Sequence, residues 1–119
     1  MTDQPQAASQ SLMGGAVQPR IWFNRRELDL ILRIYGRLVA AGECRDYAIG
    51  AFRDHAVFCM HRRSSEAPTW TVEKRPEMAN RQGAFSVTNA TGQTLKRGRE
   101  LAQVLQIFEK RRFDIVAGG

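Results

Sequence analysis

Apolar side chains recur at helical spacing between residues 24 and 41. Leu28, Ile31, Leu32, Tyr35, Leu38 and Val39 line one face, and Leu30 and Ile34 widen it. Arg26, Asp29, Arg33 and Arg37 leave only a narrow polar stripe. The pattern predicts a helix over 25–41 that is buried against something broad, such as a sheet. Its start is marked by Asn24 with Glu27 three residues on, a capping box, and by Phe23 and Leu28 at the positions of a hydrophobic staple. Gly42 is the left-handed stop. Pro19 to Phe23 reads as extended chain.

After Gly42 the period changes to two. Residues 46–52 and 55–62 flank Arg53-Asp54 and predict a tight hairpin. A two-residue loop pairs Ala51 with Ala56, Ile49 with Phe58, Tyr47 with Met60 and Asp46 with His61. That register gathers the large apolar side chains on one face and leaves Ala48, Gly50, Val57 and Cys59 on the other. It gives no role to Phe52 beside His55. Residues 64–68 read as a loop. Residues 69–74 read as a third strand, with Trp70 and Val72 inward. Residues 75–83 form another loop, closed by Gly83.

"AFSVTNATGQTLK" predicts a second hairpin. Its three-residue loop is Asn89 to Thr91 with a glycine bulge at Gly92, and the register pairs Phe85 with Leu95. A second helix follows over 99–112, with Leu101, Val104, Leu105 and Phe108 as its apolar stripe. Lys110, Arg111 and Arg112 fall in its last turn, where cations complement the helix dipole. Residues 113–116 add an edge strand. The expected fold class is α+β: an antiparallel sheet of four to five strands with an N-terminal and a C-terminal helix packed on one face.

Composition divides the chain without adding a domain. Residues 1–18 are rich in Gln, Ala, Ser and Gly and carry one charge, Asp3. They read as a disordered tail, because they bury too little apolar surface to offset ordering entropy. Residues 19–116 read as a single α+β domain. The start lacks the basic and apolar regions of a signal peptide, and no run of 18 apolar residues exists. A cytoplasmic protein with no membrane contact is expected, with Cys44 and Cys59 as reduced thiols.

Catalytic and metal chemistry find little support. His55, Cys59 and His61 share a strand face, but six residues of strand span about 20 Å, too far to ligate one ion. Cys59 and His61 stand about 6.6 Å apart along the backbone, long for a hydrogen-bonded dyad. No glycine-rich phosphate loop is present, although Gly98 opens a helix beside Lys96, Arg97 and Arg99, where an anion would sit well. The chain is read as not an enzyme. No catalytic residue, metal, cofactor or small-molecule substrate is expected.

Charge is the most informative feature. The chain has 15 Arg and 3 Lys and a formal net charge of +6. Codon usage in a GC-rich genome would produce such an arginine excess without function, but it would spread it evenly. Instead, Arg62, Arg63, Lys74, Arg75, Arg81, Lys96, Arg97 and Arg99 fall between residues 61 and 99 with only Glu66, Glu73 and Glu77, a net +5. These eight residues form the candidate nucleic-acid-binding set, with Arg62, Lys74 and Lys96 expected to gather at one rim of the sheet. No base-reading helix accompanies them, so contacts would go to phosphate. The function read from the residues is a non-enzymatic small binding module contacting nucleic-acid phosphates through a basic surface. The alternative is a protein–protein interaction or homodimerisation domain that uses a sheet edge or the small-residue face.

The run "PRIWFNRRELDLILRIYGRLVAAGE", with "RRSSEAPTWTVEKRP", "RQGAFSV" and "LKRGRELAQVL", resembles a family of small alphaproteobacterial proteins known only as a domain of unknown function. The resemblance spans residues 19 to 112. It implies a bacterial cytoplasmic protein and supplies no catalytic residues.

Overall fold

The computed structural model describes residues 19–109. The expected tail over 1–18, the last turn of the second helix and the edge strand over 113–116 lie outside them. The elements run α1 (Arg25–Ala40), β1 (Asp46–Ala51), β2 (Ala56–His61), β3 (Trp70–Lys74), β4 (Phe85–Asn89), β5 (Thr94–Gly98) and α2 (Leu101–Val104). A short 3-10 turn, Pro76–Met78, lies in the β3–β4 loop. The strands form one antiparallel sheet in the order β1-β2-β3-β4-β5.

Helix α1 begins and ends where its sequence signals say. The Asn24 Oδ1 accepts from the Glu27 N–H, and the Glu27 Oε1 accepts from the Asn24 N–H, both at 2.8 Å. At the other end Gly42 takes φ +78. There its N–H donates to the Val39 carbonyl and the Glu43 N–H to the Leu38 carbonyl, which satisfies two otherwise orphaned carbonyls. Ile31, Ile34 and Leu38 are buried. Leu32 and Val39, expected on the same buried face, are instead 37% and 42% exposed. The apolar stripe is wider than the surface that the described residues offer to cover it.

One core cluster joins α1 (Ile31, Ile34, Leu38) and α2 (Leu101, Val104) to Phe58, Met60, Trp70, Val72 and Val87 of the sheet. Full burial of side chains this size stabilises by about 1.5–3 kcal/mol each. Strand β2 alternates as the period-two pattern requires, with Ala56, Phe58 and Met60 buried and the residues between them half-buried.

The first hairpin has the expected register at every pair from Asp46 with His61 to Ala51 with Ala56. Phe52 also finds its role. Its N–H donates to the His55 carbonyl, and its ring stacks on His55 at 4.7 Å. The same ring folds over Gly50, where a Cβ would lie 2.7 Å from it. Tyr47 is 43% exposed because β1 is an edge, yet it stacks on Phe58 at 4.9 Å.

The second hairpin departs from expectation. Phe85 pairs with Gly98, not Leu95, and Val87 pairs with Lys96. The loop closes between Asn89 and Gln93, and the Asn89 side chain accepts from the Thr91 and Gln93 N–H groups. A bulge then falls between Val87 and Thr88 in the β4–β5 ladder. Thr94 opposes Thr88 and Lys96 opposes Val87, so Leu95 is the extra residue and lies 37% exposed. Strand β5 therefore ends at Gly98, and the second helix starts at Leu101 rather than 99. It is interrupted at Leu105 and resumes over 106–109.

Candidate functional site

The register divides the eight candidate basic residues. Met60 pairs with Trp70 at one end of the β2–β3 ladder, and Ala56 pairs with Lys74 at the other. Arg62 and Arg63 follow β2 and so lie at the Met60 end, whereas Lys74 and Arg75 lie at the far end, about 13 Å away along β3. Arg62, Lys74 and Lys96 do not share a rim: Lys96 sits midway along β5, opposite Val87. In an antiparallel meander successive strand ends alternate between the two sides, so nearness to a strand end says nothing about which side.

Lys74 and Arg75 are engaged in ion pairs. Lys74 Nζ donates to the Glu27 Oε1 and to the Trp22 carbonyl, each at 2.9 Å, with both side chains under 20% exposed. It joins β3 to the first turn of α1. Arg75 binds Glu73 at 3.1 Å and Asp54 at 3.2 Å, with Glu77 at 3.7 Å. The hydrogen bond to Glu73 holds the guanidinium pKa up. The hydrogen bond from His55 holds the Asp54 carboxyl below the usual range, with Arg75 adding to the effect.

Strand β5 presents a different surface. Lys96 and Arg99 are exposed, as is Arg81 in the β3–β4 loop, and Arg97 is half-buried. None of the four has a carboxylate partner within ion-pair distance among the described residues. Arg97 donates instead to the Gly83 carbonyl at 3.3 Å.

Lys96, opposite Val87, faces the helix side of the sheet, whereas Arg97, opposite Ser86, faces the other side; a glycine joins only the loop of Arg81 to the strand end. Gly83 has φ +107, and a Cβ there would lie 2.2 Å from the Gly98 carbonyl carbon. Only glycine allows the loop after β3 to press its backbone against the end of β5. The contact sets the loop that carries Arg81, two residues before Gly83, against the backbone of Gly98 and Arg99. Between the two regions lies Ser86, opposite Glu73 on one side and Arg97 on the other. Ser86 is buried and its hydroxyl has no hydrogen-bond partner among the described residues; Glu73 is engaged by Arg75 and Arg97 by the Gly83 carbonyl.

The remaining polar candidates are occupied locally. His55 Nδ1 meets Asp54 at 2.6 Å, His61 Nδ1 meets the Glu66 carbonyl at 3.0 Å, and the Cys59 sulfur accepts from Thr71 at 4.0 Å. Among the described residues no three His, Cys, Asp or Glu are grouped as metal ligands. Both cysteines are free. Burial, with Glu43 adding to it, pushes the Cys44 thiol up to about 11, against the opposing effect of Arg62. Burial raises the Cys59 thiol as well. Neither is an activated nucleophile. A cavity of about 570 Å³ beside β5 is lined by Lys96, Gln103, Gln106, Ile107 and Glu109. No described helix is long and apolar enough to cross a membrane.

Exposed cations with no ion-pair partner among the described residues can hold an anion. Sequence reasoning missed which of the eight would be neutralised, since partners such as Asp54 and Glu27 stand 21 and 47 residues away in the chain. It also missed the exposure of Leu32 and Val39.

Comparison with curated proteins and with solved structures gives no match. The sequence model of a family described as a protein of unknown function (DUF2794) matches residues 21–105, and the chain belongs to that family.

Proposed function

We propose that the protein is a non-enzymatic binding module that holds nucleic-acid phosphates along β5, with Arg81, Lys96, Arg97 and Arg99 as the contacts. The observation that carries this reading is the contrast in pairing. Lys74 and Arg75 are matched by carboxylates, while the four residues at β5, like Arg62 and Arg63 at the other end of the sheet, have none in ion-pair reach among the described residues, and β5 holds the larger share. The fold contributes position only. Both helices lie on the face of the sheet that bears Phe58, Val72 and Val87; what supports this is their shared cluster with Ile31, Leu38, Leu101 and Val104. The two free thiols fit a bacterial cytoplasm.

Binding of single- and double-stranded oligonucleotides across a salt series tests the reading. Affinity falls with salt at a slope of about −0.7 per phosphate contact on single strands. Reversing Arg81, Lys96 and Arg99 to Glu abolishes binding, while reversing Arg62 and Arg63 at the other end of the sheet leaves most of it. Equal losses from both sets would mean that net charge alone acts. No binding by the wild type at low salt would leave the arginine excess to codon usage. A protein-interaction role would then take first place, a second reading favoured by the exposed apolar residues of α1.

A further inference from the structure

The cavity of about 570 Å³ lies between β5 and the chain that follows it, within the range of about 300–1,000 Å³ that bound small molecules occupy. Lys96 of β5 forms one side, on the face of the sheet that bears Val87. Gln103 of α2 forms the other, with Gln106, Ile107 and Glu109 of the helical turn that resumes after Leu105. Gln103 and Gln106 are exposed, and no hydrogen bond among the described residues uses either side-chain amide. Ile107 is half-buried against the core and gives the cavity an apolar floor. Glu109 is engaged by Arg37 of α1, so its charge is met away from Lys96. The space thus combines one cation, an apolar floor and two unpartnered carboxamides, each with a donor and an acceptor.

We infer that this cavity takes an unpaired nucleobase from a single strand whose phosphates lie along β5. The inference rests on the phosphate-binding reading above and adds the form of nucleic acid that the site selects. A phosphate held at Lys96 brings its own sugar and base to the mouth of the cavity, because both hang directly from it. Carboxamides suit the edge of a base. Each offers an N–H and a carbonyl side by side, and glutamine makes such a paired contact with adenine in DNA. No aromatic side chain lines the space among the described residues, so the base is read at its edge rather than by stacking. A base in a duplex is paired and stacked, and it reaches a recess only by being flipped out. Lys96 then holds the phosphate, Gln103 and Gln106 hold the base edge, and Ile107 excludes water beneath it.

Affinities of the full chain for two ligands of equal length, across one salt series, test the inference: a mixed-sequence single strand and a strand of abasic sugar phosphates. The strand with bases is expected to bind about tenfold more tightly. Gln103→Ala combined with Gln106→Ala removes that difference, while the salt slope and the far-ultraviolet circular dichroism stay unchanged. Lys96→Glu weakens binding of both strands and makes the slope shallower. A single 2-aminopurine in the strand gives a direct readout. Its fluorescence rises on the wild type, as the base leaves its stacked neighbours, and does not rise on the double variant. A wild type that binds the abasic strand as tightly as the other overturns the inference and leaves the phosphate-binding reading standing. A tenfold difference that survives in the double variant also overturns it, by placing the base elsewhere. Binding to neither strand at low salt overturns both readings.

Discussion

The end of β3 and the end of β5 carry the same kind of residue and have opposite fates. Lys74-Arg75 and Arg97-Gly98-Arg99 sit at the same end of the sheet, on strands separated only by β4. At β3 each cation is met by carboxylates: Glu27 from α1, Asp54 from the first hairpin turn, Glu73 from the strand itself. At β5 the neighbour is the backbone of a loop, which offers a carbonyl and no charge. A basic residue becomes available to an outside anion only when the fold brings no acid to it, and that depends on strand order rather than on local sequence. The β3 cations are part of what holds α1 and the first hairpin to the sheet; the β5 cations hold little in place.

Gly83→Ala strikes the joint between the two regions and has the largest expected effect. A Cβ at positive φ and 2.2 Å from the Gly98 backbone cannot be relieved by a side-chain rotation. A loss of roughly 3 kcal/mol or more is expected in urea denaturation, together with loss of the β5 contact geometry. A loss under 1 kcal/mol would mean that the loop does not press on β5 as described.

Lys74→Ala is next. It leaves Glu27 largely buried without its partner and removes the donor to the Trp22 carbonyl. A cost of about 1–3 kcal/mol is expected. A double-mutant cycle with Glu27→Gln isolates the pair, and oligonucleotide affinity should stay unchanged. If Lys74→Ala instead weakens binding and spares stability, the division between the two regions fails.

Acid sharpens the comparison on the β3 side alone. Asp54 has a folded pKa below its unfolded value, so its contribution is present above the unfolded value, about 3.9, and is lost as pH falls through the folded one. Thermal melts of wild type and Asp54→Asn are expected to converge as pH drops below about 4. A gap that persists at the lowest pH would assign Asp54 a role other than its charge.

Arg99→Ala has the smallest expected effect on stability, within about 0.5 kcal/mol, because the side chain is exposed and unpaired among the described residues. Its effect appears in binding, as a shallower salt slope by about 0.7 on single strands. Unchanged binding would remove Arg99 from the interface.

By itself the sequence determined what local physics decides. The capping box at Asn24 and the Gly42 stop are contacts over three to five residues, and both formed as the residue types demand. The two-residue hairpin fixed the β1–β2 register, because one slip would have turned Phe58 and Met60 away from the core. The second hairpin escaped because its bulge lies inside the ladder, where moving one residue costs little locally and is decided by what packs on Val87 and against Gly98. The tertiary structure alone decided that Leu32 and Val39 stay outside, since an amphipathic pattern shows which side chains are apolar but not how wide a surface will meet them. It alone decided which of eight cations keep a free charge. Ion pairs form across the strand order of the sheet, and a carboxylate 47 residues away in the chain stands 2.9 Å from Lys74 only once the fold is complete.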